Sequence, residues 1–162
     1  MRFRPGGFTL PELLVVLAIV GLTIALALPR FDDALARRRL RHAVGALRDD
    51  LGRARMLAVA AGSPVAVTPR PGSGGWAQGW LTTHGGRVRP EASHEALHAT
   101  LYGYANRDGG IAFTAEGTTG GNRTITFCVS GRRVPPMRLV IASAGRARVE
   151  TTTVRTTGDC PR

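Results

Sequence analysis

The sequence predicts an α+β fold in which a long N-terminal helix packs on a small, mainly antiparallel β-sheet domain. Three observations support this prediction. Residues 8–28 form an apolar run with a single charge, residues 29–62 repeat apolar residues at helical spacing, and residues 63–162 alternate short apolar runs with turn residues. The 162 residues suffice for one domain in addition to the apolar run.

The first element is a short basic leader followed by a membrane segment. Residues 1–7 carry Arg2 and Arg4 and end in glycine, and the apolar run follows at once. About 20 helical residues cross a bilayer core of roughly 30 Å. Because a basic flank stays on the cytoplasmic side, we expect a single-pass membrane protein whose C-terminal domain is translocated. No small-residue cleavage site follows the run, so we expect the segment to be retained.

Glu12 is the single charge within this run. A carboxylate in an apolar helix is costly and indicates a function. If the chain is cut after Gly7, Phe8 becomes a free amine and Glu12 lies one helical turn away. In a bundle of such helices, Glu12 could then neutralise the terminal ammonium of a neighbour. The alternative is that Glu12 only complements the helix dipole at headgroup level.

The second helical stretch, residues 29–62, has one apolar stripe. The stripe comprises Leu40, Val44, Leu47, Leu51, Ala54 and Ala58, and the other side is rich in arginine. We expect the stripe to cover a small sheet and the arginine side to face solvent. Pro29 should end or kink the apolar helix, and Gly62 and Pro64 should end the amphipathic one. Together the two halves would form one long helix over residues 8–61.

The remaining residues predict strands. We expect strands at 65–68, 76–82, 101–105, 111–114, 124–129, 137–142 and 146–154, followed by a closing loop. Two cysteines, Cys128 and Cys160, fall in this region. In an exported domain such a pair predicts one disulfide, whereas in the cytosol two free thiols would be expected. A disulfide that closes the loop between these two cysteines would stabilise the domain by about 3–4 kcal/mol in the chain-entropy model.

The N-terminal motif resembles that of a known family. The stretch Gly-Phe-Thr-Leu-Pro-Glu-Leu, residues 7–13, is similar to the prepilin cleavage motif of type IV pilins and type II secretion pseudopilins. The resemblance implies that a prepilin peptidase cuts between Gly7 and Phe8 and methylates Phe8. It also implies that Glu12 guides assembly with other minor and major pilins. Pro11 falls in the first helical turn, where a missing N–H is tolerated.

The β region narrows the resemblance to the FimT/GspH group of minor pilins and minor pseudopilins. The similar segments, in order, are residues 76–80, 111–113, 127–128, 138–141 and 145–149. This similarity implies a type IV pilin-like fold. The chain is most similar to FimT-type minor pilins, which share a C-terminal Gly-Arg-x-Arg element and a C-terminal cysteine pair.

The Gly-Arg-x-Arg resemblance implies binding of double-stranded DNA during natural transformation. Gly145, Arg146 and Arg148 match the element. Arginines two apart on a strand project to one face about 7 Å apart, near the phosphate spacing. Gly145 would let a backbone come close. Arg132, Arg133 and Arg155 could widen the patch, although no motif supports them, and the formal charge of +11 favours a polyanionic partner.

Two alternatives in the same family stay open: a GspH-type minor pseudopilin of a type II secretion system, and a purely structural pilus-assembly subunit. An enzymatic alternative rests on His94-Glu95-Ala96-Leu97-His98, which fits the zinc-binding H-E-x-x-H pattern. The pattern lies in a short stretch without an obvious third ligand; His84 and Glu116 are arbitrary choices. We therefore expect no catalysis, no cofactor and no metal site.

Overall fold

The computed structural model describes residues 9–72, 75–85, 92–131 and 134–151, with the backbone alone for residues 26–30. The chain divides into two compact units, residues 1–35 and residues 36–162. Each unit is described by itself below.

The first unit contains the start of helix α1, which comprises Leu10–Ala61. The large apolar side chains between Leu10 and Ile24 are 45–73% exposed. Within the described residues, no helix is both long enough and apolar enough to cross a membrane. The predicted span, 8–28, includes Phe8 and three side chains that lie outside the described residues.

Two prolines test the helix predictions. Pro11 lies in the first turn of α1, as predicted. Pro29 does not end the helix, because α1 continues to Ala61. A proline within a helix removes one hydrogen bond, here to the Ala25 carbonyl. The loss of that bond does not interrupt the helical backbone of α1.

In the second unit, α1 carries the predicted apolar stripe on its buried side. Leu40, Val44, Leu47 and Leu51 are almost completely buried, as are Ala54 and Ala58. Burial therefore follows the helical period, and the stripe prediction is confirmed. Gly62, at φ 59°, follows the last residue of the helix, where a left-handed conformation favours glycine.

In the part of the chain that the structure describes, the helix is followed by eight strands: β1 (Val65–Pro69), β2 (Trp80–His84), β3 (Ala92–His94), β4 (Leu101–Ala105), β5 (Ile111–Phe113), β6 (Arg123–Val129), β7 (Met137–Ile141) and β8 (Ala147–Thr151). They form two four-stranded sheets, in the orders β3-β2-β1-β5 and β4-β6-β7-β8. Every neighbouring pair is antiparallel. The α+β prediction is confirmed, with two small sheets where one was expected.

Some strand boundaries were wrong. Residues 76–82 were expected to form one strand, but Trp76–Gln78 is a 3-10 turn and β2 begins at Trp80. Gly79 separates the two elements at φ 89°. The short strand β3 was not predicted. The last predicted strand, 146–154, is present as β8 within the described residues.

The core lies between the α1 stripe and the inward faces of the sheets. Its largest fully buried side chains include Trp80, Phe113 and Phe127. The Trp80 indole N–H donates to Asp50 Oδ2 at 2.7 Å. This bond satisfies a buried donor and links β2 to α1 beside the apolar stripe. Trp76 and Trp80, the two tryptophans of the segment at residues 76–80, are both core residues.

Candidate functional site

The first candidate site is the start of α1. The backbone N–H of Thr9 donates to Glu12 Oε2 at 3.4 Å, and Leu13 N–H donates to the Thr9 carbonyl at 3.1 Å. The first bond is one half of a capping box, in which a carboxylate three residues on accepts from the backbone N–H of the N-cap residue. Gly7 and Phe8 lie outside the described residues, so cleavage, methylation and the assembly role of Glu12 stay predictions.

The second candidate site is the turn between β7 and β8. Gly145 occupies it at φ 77°, a left-handed conformation that favours glycine. A Cβ at this position would overlap the Gly117 carbonyl oxygen and lie 2.9 Å from Arg55 Nε. The close approach that requires glycine is therefore internal. The structure thus gives Gly145 a packing role, and its part in letting a ligand come close stays a prediction.

Arg55 holds this turn to the helix. Its Nε donates to the Gly117 carbonyl at 2.8 Å, a contact between residues 62 positions apart. Gly117 is buried at φ 73° and packs against the same arginine. The guanidinium thus lies where α1, the turn at Gly117 and the turn at Gly145 meet. This contact fixes the backbone from which Arg146 projects.

The two arginines of the predicted motif have different surroundings. The Arg146 side chain is exposed and has no hydrogen bond or ion pair within the described residues, although its backbone carbonyl accepts from the Ala142 N–H at 2.9 Å. Arg148 Nε donates to Glu150 Oε1 at 2.8 Å, and these side chains are 70% and 44% exposed. The carboxylate partly neutralises Arg148 in the free protein. An exposed pair of this kind contributes little to stability.

The register of β7 and β8 gives the face on which these residues lie. Arg148 is opposite Val140, whereas Ala147 and Val149 are opposite the buried Ile141 and Leu139. Successive residues of a strand alternate between its two faces, so Arg148 projects away from the core. Arg146 lies in the turn just before β8, so the common face of the two arginines stays a prediction.

The other predicted residues are less well described. Arg132, Arg133 and Arg155 lie outside the described residues, so their contribution to the patch stays a prediction. Cys128 is buried on β6, opposite Tyr102. Cys160 lies outside the described residues, and the disulfide between the two also stays a prediction.

Glu116 lies in the turn that contacts Arg55. A hydrogen bond from the Thr114 side chain, with a second from its own backbone, lowers the pKa of the Glu116 carboxyl below 4.5, while its slight desolvation opposes this. The Gly117 N–H also donates to the Thr114 carbonyl at 2.9 Å. The charged form of Glu116 is therefore the form that this turn favours.

Comparison with known proteins identifies the family. The family model described as type II transport protein GspH matches residues 43–145, which is more than half of the chain. The chain belongs to the GspH family. A second model, the prokaryotic N-terminal methylation motif, matches residues 2–28. The FimT/GspH resemblance is thereby confirmed, and the protein is a minor type IV pilin or GspH-like pseudopilin.

Two solved structures resemble this GspH-family chain. The type IV minor pilin FimU of Pseudomonas aeruginosa PAO1 is 25% identical, with a TM-score of 0.63, over 72% of this chain and 95% of FimU. The minor pseudopilin EpsH of the Vibrio cholerae type 2 secretion system is 10% identical, with a TM-score of 0.55, over 70% of this chain and 97% of EpsH. The sequence matches no curated protein. The type IV pilin-like fold is confirmed.

The H-E-x-x-H pattern of this GspH-family chain does not lie on a helix. His94 ends β3, and residues 95–98 have no regular secondary structure. The His94 ring stacks on Trp80 at 4.1 Å, and His98 Nδ1 hydrogen bonds with Thr100 Oγ1 at 3.0 Å. Among the described residues, no three His, Cys, Asp or Glu side chains are grouped to hold a metal. A metalloprotease site requires both histidines on one helical face.

Sequence reasoning missed two features of the site in this GspH-family chain. The Arg55 contact with Gly117 joins distant residues and leaves no local signal. The Arg148–Glu150 pair did have a signal, because residues two apart on a strand share a face. The position of Glu150, two residues after Arg148, could have predicted this ion pair.

Proposed function

We propose that this chain is a FimT-like minor type IV pilin that binds double-stranded DNA without sequence specificity and contributes to DNA uptake in natural transformation. A prepilin peptidase would cut between Gly7 and Phe8 and methylate Phe8. The mature subunit would remain in the inner membrane, with its C-terminal domain in the periplasm, until it joins other pilins in a pilus. Glu12 would guide this assembly.

One observation carries the DNA-binding proposal. The Arg146 side chain is exposed and has no ion pair among the described residues, and it lies on a turn whose backbone is held by contacts with α1. The Arg55 contact and the two left-handed glycines hold the turn. Because the backbone is already held, binding a phosphate orders only the side chain and not the turn. Arg148, two residues along the chain, can exchange Glu150 for a phosphate, at the cost of one exposed ion pair.

Binding through a few arginines would be weak and sensitive to salt. Four phosphate contacts give a log–log slope of about −3 to −4 for the association constant against salt concentration. We expect affinity in the micromolar range for duplex DNA of any sequence. Loss of Arg146 should reduce affinity more than loss of Arg148, because Arg148 must first leave Glu150.

The binding test uses the full-length protein in an uncharged detergent with a short labelled duplex. We expect Arg146→Gln to weaken binding several-fold, Arg148→Gln to weaken it less, and the double variant to weaken it most. Glu150→Gln provides a control of opposite sign, because freeing Arg148 should strengthen binding. Equal affinities for the wild type and the double variant would contradict the proposal.

A genetic test separates DNA capture from assembly. A deletion strain is complemented with the wild type or with the Arg146/Arg148 double variant, and both transformation and surface pili are measured. We expect the double variant to restore pili without restoring transformation. Loss of both would favour a purely structural role.

The second candidate function is that of a minor pseudopilin in type II secretion, and the match to the GspH family model supports it. The higher similarity to FimU than to EpsH favours the pilus. A deletion strain decides between them. A secretion defect with normal pili and normal transformation would establish the pseudopilin function.

A disulfide between Cys128 and Cys160 is part of this proposal. It would join the buried end of β6 to the C-terminal loop and stabilise the domain by about 3–4 kcal/mol. Mass spectrometry of protease fragments from unreduced protein should show the two cysteines in one linked pair. Both cysteines found as free thiols in exported protein would contradict it. Cys160→Ser should lower the free energy of unfolding of oxidised protein by a similar amount.

A further inference from the structure

We propose that Arg48 of α1 is a second phosphate-binding residue, which faces Arg146 across a groove and holds the DNA backbone between the helix and the β7–β8 turn. This inference rests on the proposed DNA binding and extends the binding surface from the strand motif to the helix. Arg48 is not part of the Gly-Arg-x-Arg element.

A groove runs between α1 and the β7–β8 turn, within the second unit. Its helix side is lined by Arg48, Asp49, Leu51, Gly52, Arg53, Arg55 and Met56, and its turn side by Gly145, Arg146 and Ala147. The lining includes four arginines and one aspartate. This excess of positive charge in a concave surface attracts a polyanion. A phosphate backbone carries the matching density of negative charge.

The four arginines are not equally available to a ligand. Arg53 is paired with Asp50, which also accepts the Trp80 indole N–H. Arg55 donates to the Gly117 carbonyl and holds the turn. Arg48 and Arg146 are both exposed, and neither side chain has a hydrogen bond or ion pair within the described residues. The two walls of the groove therefore each present one available guanidinium.

The helical period places Arg48 in a row with other arginines. Arg41, Arg48 and Arg55 are seven residues apart and so lie close to one line along a flank of α1. Arg55 ends this row at the β7–β8 turn. The row leads from the exposed surface of the helix toward Arg146. A duplex that contacts Arg146 can thus continue along the helix flank instead of ending at the turn.

The floor of the groove permits close approach. Gly52 is exposed, and a Cβ at this position would meet no atom within 4 Å. A glycine in the middle of a helix is less favourable than alanine. Its absent side chain leaves room beside Arg48 for a sugar–phosphate chain. Asp49 lies in the same groove and keeps the attraction modest.

The matched control is Arg39, nine residues from Arg48 on the same helix. Nine residues are two and a half turns, so Arg39 lies on the opposite flank. It lines a different cavity, together with His42, His94 and His98. Arg39→Gln and Arg48→Gln therefore remove the same charge from the same helix. Only the second change removes it from the groove.

The experiment measures binding of a short labelled DNA duplex to the full-length protein in an uncharged detergent, at about 50 to 200 mM salt. The proteins are the wild type, Arg48→Gln, Arg39→Gln, Arg146→Gln and the Arg48/Arg146 double variant. We expect Arg48→Gln to weaken binding about five-fold and to reduce the magnitude of the salt slope by about 0.9, the value for one phosphate contact. Arg39→Gln should stay within about two-fold of the wild type. Circular dichroism checks that each variant is folded.

The outcomes separate this inference from the proposed function. If Arg146→Gln weakens binding but Arg48→Gln changes it no more than Arg39→Gln, the groove assignment is wrong and the proposed function stands. If the wild type does not bind the duplex, both are wrong. A greater loss in the double variant than in either single variant, with a slope reduced by about 1.8, supports two contacts on the two walls.

Discussion

Both halves of helix α1 carry apolar side chains, but only the second half buries them within this chain. Between Leu10 and Ile24 the large apolar side chains are exposed on every side of the helix. Between Ala36 and Ala58 they form one stripe that is buried against the two sheets. The second half therefore packs against the sheets of the same chain.

The difference indicates two separate tasks. An apolar helix surface without a stripe requires an apolar environment on all sides, such as a bilayer or a bundle of identical helices. A striped helix requires only one covering surface, and here the sheets provide it. Changes in the first half should therefore affect insertion and assembly, whereas changes in the second half should affect the stability of the domain.

The largest expected effect comes from paired leucine truncations. Leu47→Ala removes a fully buried side chain and should lower the free energy of unfolding by about 2–5 kcal/mol. Leu14→Ala removes a side chain that is 57% exposed and should leave unfolding of the domain nearly unchanged. Denaturant titration of the full-length protein in detergent compares the two. Equal losses of unfolding free energy in the two variants would contradict the difference between the two halves of α1.

A smaller effect tests whether the domain fixes the arginine patch. Gly145→Ala places a Cβ against the Gly117 carbonyl at a positive φ and should cost about 2 kcal/mol. Gly120→Ala is the control, because a Cβ at Gly120 would meet no atom within 4 Å. Thermal unfolding measures both variants. If Gly145→Ala is as stable as Gly120→Ala, the turn is not held as the structure describes.

The smallest effect concerns pH and the turn at Glu116. Because the pKa of Glu116 is lowered in the folded protein, its contribution to stability is present above 4.5 and is lost as pH falls through the folded value. Glu116→Gln should therefore be slightly less stable than the wild type at neutral pH. The difference in unfolding free energy should vanish in acid. A difference that is constant with pH would assign the effect to packing.

The sequence predicted the parts of the fold that depend on periodicity. The α1 stripe and most strands follow from the spacing of apolar residues, which local packing enforces. The break at Gly79 was missed because Trp76 and Trp80 are both apolar and hide the change from a 3-10 turn to β2. Strand β3 was missed because Ala92, Ser93 and His94 have no apolar alternation. Only its pairing with β2 makes it a strand.

The site was predicted less completely than the fold. The motif gave Arg146 and Arg148, but not the partners that distinguish them. The contact between Arg55 and Gly117 and the groove that includes Arg48 depend on how α1 meets the turns. Such contacts join residues far apart in the chain and have no repeating pattern, so they become visible only when the fold is known.

The central claim is that the first half of α1 is the assembly segment of a processed, pilin-like subunit. The most direct measurement is mass spectrometry of the N-terminal peptide from protein recovered from the membrane and from sheared surface filaments. We predict a chain that begins at Phe8 and carries one methyl group on its terminal amine. A mature chain that begins at Met1, or at any residue beyond the apolar run, would contradict the claim.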